Sequence, residues 1–82
     1  MPTRKHVGTE NLVGQRVVAL RMRQGVNQKT LLARLQVRGV DLSQSALSDI
    51  EGQRRKVSDR ELLALADSLG VSLESLFAPE ET

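Results

Sequence analysis

Residues 44–55 read Gln-Ser-Ala-Leu-Ser-Asp-Ile-Glu-Gly-Gln-Arg-Arg and are entered through Ser43. At about 100° per residue on a helix, Leu47 and Ile50 project to one side while Ser45, Ser48 and Asp49 project to the opposite side. A plain solvated face carries long Lys and Glu side chains. This face carries short hydrogen-bonding ones, which can reach the edges of bases in a groove. Ser43 is the expected N-cap and Gly52 the expected stop. Arg54, Arg55 and Lys56 follow at once and put positive charge where a phosphate backbone would pass.

Such a helix must bury Leu47 and Ile50 against partners, and the flanking sequence supplies them. Upstream, Val13, Val17 and Leu20 fall at i, i+4 and i+7 of a first helix capped by Thr9 or Asn11 and ended by Gly25. Val26 re-enters the core, and Asn27 caps a second helix whose Leu31, Leu32 and Leu35 form its buried stripe. Residues 36–42, with Arg38-Gly39-Val40-Asp41-Leu42, read as the connection to the third helix, about 43–52. Downstream, Ser58 with Glu61 makes a capping box. Leu62, Leu65, Ala66 and Leu69 then continue at helical spacing to Gly70. Val71 is a core residue, and Ser72 caps a last short helix with Leu73, Leu76 and Phe77 before Pro79. Alternating β-branched runs are absent, so the expected fold is all-α: a compact five-helix bundle over 9–78, with a flexible basic arm at 1–8 and an acidic tail at 79–82.

Composition removes whole classes of function. In 82 residues there is no cysteine, so neither a disulfide framework nor a thiolate metal site can be built. The lone histidine, His6, lies in a polar N-terminal stretch and reads as a solvated side chain. No catalytic residue, metal site, cofactor or small-molecule ligand is therefore expected, because no nucleophile sits with a base. No stretch approaches the roughly 20 apolar residues of a membrane span, and a cytoplasmic protein is expected. Phe77 is the sole aromatic residue, which disfavours the stacking platforms of single-strand and RNA binders. Charge is split along the chain. Residues 1–56 hold eleven Lys and Arg against four acidic side chains, a net of +7, while residues 57–82 hold one against six, a net of −5. That field turns the basic part toward a polyanion, although solvated helix surface would have the same composition.

From Val13 to Phe77 the order of pieces resembles the helix-turn-helix domains of phage repressors, Cro proteins and the bacterial regulators of the xenobiotic-response-element family. The matching pieces are Val13-Gly14-Gln15-Arg16-Val17 with Leu20-Arg21, Val26-Asn27-Gln28 with Leu31 and Leu35, and Leu47-Ser48-Asp49-Ile50-Glu51. Two further matches are Glu61-Leu62-Leu63-Ala64-Leu65-Ala66 and Leu69-Gly70-Val71-Ser72-Leu73-Glu74-Ser75-Leu76-Phe77. About four-fifths of the chain is covered, and the specificity lies in the combined order.

The resemblance implies a lambda-repressor-like fold and a transcriptional regulator that binds double-stranded DNA through its third helix. Gln28 matches a glutamine that binds a DNA phosphate at a helix start, where free N–H groups also suit an anion. Gln44, Ser45 and Asp49 match base-reading positions with Ser48 between them, and Arg54, Arg55 and Lys56 match the loop that follows the backbone. Arg21 and Glu51 match an ion pair tying the first helix to the end of the third, read here as two exposed charges contributing about 0–1 kcal/mol. A family-like homodimer would read two half-sites about 34–36 Å apart. A second reading is a protein-interaction module, such as an antitoxin-like partner, using the same surface.

Two departures from the family pattern stand out. The turn between the second and third helices is usually very short, yet here 36–42 intervenes, and Leu32 stands where a small alanine is usual. Either the third helix sits farther out and the larger Leu32 fills the gap, or the second helix runs longer and Val40 and Leu42 pack underneath. For either, Gly39 is expected to be left-handed at the helix end.

Overall fold

Val13, rather than Thr9 or Asn11, is the N-cap of the first helix, and the side chain that binds the turn leading into it belongs to Asn11. In a computed structural model, which describes residues 8–78, its Oδ1 accepts the N–H groups of Val13 at 3.0 Å and Gly14 at 2.8 Å. The helix α1 then runs Gly14–Arg23. It is followed by α2 (Gln28–Val37), α3 (Gln44–Glu51) and α4 (Asp59–Leu69). Asn27 caps α2 by accepting from Thr30, and Ser43 caps α3 by accepting from Ala46. The capping box of α4 is complete, with the Ser58 hydroxyl bound by the Glu61 N–H and the Glu61 carboxylate bound by the Ser58 N–H. Each cap satisfies a donor that helical geometry leaves without a partner.

The last element, expected as a fifth α-helix, is a 3₁₀ helix, Leu73–Phe77. Ala78, which precedes Pro79, is already extended at φ −71°, ψ 142°. A residue before proline is pushed out of the helical region, so only one tight turn fits between Ser72 and Ala78. Among the described residues there are thus four α-helices, one 3₁₀ helix and no strand. The expected arm and tail, with His6, lie at 1–7 and 79–82, outside the described residues. Gly8, expected in the arm, donates to the Gly52 carbonyl at 2.9 Å.

All four α-helices end in the same pair of bonds, in which the two residues after the last turn donate back to carbonyls inside it. Gly39 and Val40, for example, donate to Gln36 at 3.0 Å and Leu35 at 2.9 Å. Gly39 takes φ 84°, as expected, because a left-handed residue with a Cβ is strained. The helix α3 stops at its C-cap Gly52, as expected. Gly52 keeps φ −86° and the reversal falls on Gln53, at φ 59°. Two contacts hold Gln53 in this unfavourable conformation: its Nε2 donates to the Asn11 carbonyl and its carbonyl accepts the Glu10 N–H, each at 2.9 Å. A Cβ at Gly52 would meet the Arg54 guanidinium, so a larger residue there would displace that side chain rather than the backbone.

The core collects one stripe from each helix. Val13, Val17 and Leu20 meet Leu31 and Leu35 of α2, Leu47 and Ile50 of α3, and Ala64, Leu65, Ala66 and Leu69 of α4, with Val26 and Leu76 closing the ends. Leu32, Val40 and Leu42 are half-buried against this core. The long connection therefore packs underneath, with α2 ending at Val37. Leu73 and Phe77 are exposed, and only Leu76 of that element is buried.

α1 approaches α3 most closely at Gly14. A Cβ there would stand 2.2 Å from the Ile50 carbonyl oxygen. Asn11 Nδ2 donates to that same oxygen at 3.1 Å and to the Arg55 carbonyl at 2.8 Å. One side chain thus binds the start of α1, the end of α3 and the loop after it.

Candidate nucleic-acid interface

α3 is the element on which the expected base-reading residues lie, and packing fixes which way it faces. Leu47 and Ile50 are fully buried, which leaves Ser43, Gln44 and Ser45 exposed and Ser48 and Asp49 half-buried on the outward side. The Ser43 hydroxyl is committed to capping, as it accepts the Ala46 N–H at 3.0 Å.

A chain of hydrogen bonds runs from the interior to this face. Arg21 of α1 grips Glu51 with two donors, Nε to Oε2 at 2.9 Å and Nη2 to Oε1 at 3.1 Å, and Nη1 also reaches the Val26 carbonyl at 3.1 Å. The side chains are only 12% and 8% exposed, so the sequence reading of an exposed pair needs correction. The start of α2 covers the pair. Enclosure costs both ions their water, which offsets their attraction, but removing one partner would strand the other charge. Glu51 Oε1 also accepts from Gln28 Nε2 at 2.9 Å. Gln28 Nε2 gives its other hydrogen to Ser48 Oγ at 3.3 Å, and Gln28 Oε1 accepts from Gln44 Nε2 at 3.1 Å. Gln28, expected to hold a phosphate through its side chain, thus spends both amide hydrogens inside the fold. Its helix start still offers backbone N–H groups, because Asn27 takes up only that of Thr30.

The three basic residues after α3 are not equivalent. Arg54 folds back, with Nε on Asp49 Oδ1 at 3.1 Å and Nη2 on the Ser48 carbonyl at 3.1 Å. Arg55 turns to α4, where Nη2 meets Glu61 Oε2 at 3.2 Å beside the capping box. Lys56 is exposed and has no ion-pair partner among the described residues. Ser45 is exposed, with no side-chain partner among them. The structure thus joins Gln28, Gln44, Ser48 and the Arg21–Glu51 pair in one network, joins Asp49 to Arg54, and leaves Ser45 and Lys56 apart.

Sequence reasoning misses two contributors. It marks Asn11 only as one of two candidate caps, whereas the bonds of Asn11 across to Ile50 and Arg55 depend on a chain approach that no local pattern reports. It passes over Lys29, which is exposed in the first turn of α2. There the signal is present: a basic residue next to a helix start suited to an anion.

No helix of the described residues is long and apolar enough to cross a membrane. No protein-family model matches the sequence, and no curated protein matches it. Among solved structures, the chain is similar to the restriction-modification controller protein C.AhdI from Aeromonas hydrophila. The two are 35% identical over 80% of this chain and 96% of that one, and they superpose with a TM-score of 0.68. The caps, the buried stripes and this similarity agree: the chain belongs to the xenobiotic-response-element family of phage repressor- and Cro-type helix-turn-helix transcriptional regulators.

Proposed function

We propose that this protein is a cytoplasmic, non-enzymatic regulator that binds double-stranded DNA sequence-specifically by inserting α3 into the major groove. The observation that carries this reading is the outward face of α3. Gln44, Ser45 and Asp49 stand clear of the core on a helix whose other side is wholly buried. An eight-residue helix is about 12 Å long, and the major groove, about 12 Å wide, admits a helix. Gln44 and Asp49 read base edges, Ser45 and Ser48 make short contacts between them, and the Ser43 end faces the groove wall. Phosphates are met by the first-turn N–H groups of Gln28 and Lys29, by the Lys29 ammonium, and by Lys56. Arg54 and Arg55 add charge behind them. Similarity to a restriction-modification controller supports a regulatory role. A homodimer would place two such helices on successive grooves.

The test is a titration of the purified protein against genomic fragments, then against selected and scrambled duplexes at several salt concentrations. Phosphate contacts release counterions, so affinity for every duplex falls with salt, while the selected duplex keeps its advantage. Absence of salt-sensitive binding to any duplex, together with co-purification of a protein partner, would replace this reading with the interaction module.

A further inference from the structure

We infer that Glu51, two side chains away from the groove, decides which base Gln44 reads, by fixing the direction of two amide groups in series. The inference rests on the DNA-binding reading above. An ionised carboxylate has no hydrogen to give, so the group facing Glu51 must be a donor. Gln28 therefore presents Nε2 to Glu51 Oε1 at 2.9 Å, and its oxygen points the other way. That oxygen is an acceptor only, so Gln44 must answer with Nε2, as it does at 3.1 Å. Gln44 is left with one free N–H and its own Oε1.

One donor beside one acceptor complements N7 and N6 of adenine. Had Gln28 been reversed, Gln44 would turn its oxygen inward and offer two N–H groups, which complement O6 and N7 of guanine. The choice between the two purines is thus set by the charge on Glu51. Arg21 holds that charge in place with two donors on its carboxylate oxygens. Ser48 is indifferent, since a hydroxyl accepts or donates by rotating. Gln28 and Glu51 are positioning residues, acting through Gln44.

The double variant Arg21→Met/Glu51→Met tests this, because it removes the acceptor facing Gln28 without stranding the opposite charge. Gln28 is then free to present either end of its amide, and both downstream amides can reverse. The readout is the adenine-to-guanine binding ratio at the base pair where Gln44→Ala abolishes preference. In the wild type that ratio is about 5- to 150-fold in favour of adenine. In the double variant it falls at least 5-fold, and in the Gln44→Ala background the same substitutions change it no further. Gln28→Met, which leaves the Arg21–Glu51 pair intact, narrows the ratio in the same direction and stands as the test if the double variant does not fold. A folded double variant or Gln28→Met variant that keeps the wild-type ratio overturns the relay while leaving DNA binding in place. A wild type with no sequence preference on any duplex overturns the DNA-binding reading and the relay with it.

Discussion

Replacing Gly14 by alanine sets helix propensity against packing, and the structure says which wins. In isolation the change favours a helix by up to about 1 kcal/mol, and less at the first helical residue. In the fold, the new Cβ would lie 2.2 Å from the Ile50 carbonyl oxygen, about 0.8 Å inside the closest approach real Cβ atoms show. The Glu51 carbonyl oxygen stands at 2.9 Å, so the obstacle is mostly the backbone of α3, which cannot rotate aside. Forcing α1 and α3 apart costs about 1–3 kcal/mol as overpacking. It also stretches the Asn11 to Ile50 hydrogen bond, now 3.1 Å, worth about 1 kcal/mol. The net expectation is a decrease of about 2–3 kcal/mol from a total stability of about 4–12 kcal/mol for a chain of this size. With a urea m value of about 1–1.5 kcal/mol/M, the unfolding midpoint drops by about 2 M. Gly39→Ala is the comparison. Its site is open, so only the left-handed backbone at φ 84° is penalised, at about 1–2 kcal/mol, and Gly39→Asn recovers part of that penalty. A Gly14→Ala midpoint equal to or above the wild type would refute the claim that backbone contact sets the α1–α3 spacing.

Leu47→Ala and Leu65→Ala, at two fully buried positions, should each cost about 2–5 kcal/mol in chemical denaturation, since each leaves a cavity in a small core. Glu51→Ala should cost about 3–5 kcal/mol by the same assay, because it strands the enclosed Arg21 guanidinium. In salt titrations of DNA binding, Lys56→Ala should reduce the magnitude of the log-log slope by about 0.9, the counterion share of a single neutralised phosphate. Asp49→Ala should relax base preference by about 1–3 kcal/mol and, by releasing Arg54, tighten binding to scrambled duplexes. An unchanged affinity for scrambled DNA would show that the Arg54–Asp49 pair does not restrain Arg54.

The sequence by itself determined where α2, α3 and α4 begin and which residues form the buried stripes of the four α-helices. Those features are local: a side chain caps a donor three residues on, and a 3.6-residue period marks a buried stripe. Hence the Ser58–Glu61 box, the Asn27 and Ser43 caps and the left-handed Gly39 were legible. So was the outward face of α3, because burying Leu47 and Ile50 forces Ser45 and Asp49 outward on any helix. The 3₁₀ character of Leu73–Phe77 was not legible, since the α-helical and 3₁₀ periods diverge too little over five residues to be told apart by pattern.

Tertiary structure decided everything that depends on distance between segments far apart in the chain. Whether Arg21 and Glu51 form a solvated pair or an enclosed one depends on α2 lying over them. Gln28 bears on Gln44 only because α2 and α3 bring two amides within 3.1 Å. Three adjacent basic residues look alike as sequence, yet only the fold turned Arg54 onto Asp49 and Arg55 onto Glu61 and left Lys56 to solvent. A hydrogen bond or ion pair acts over a few ångströms, and in this chain those ångströms are set by the packing of four helices.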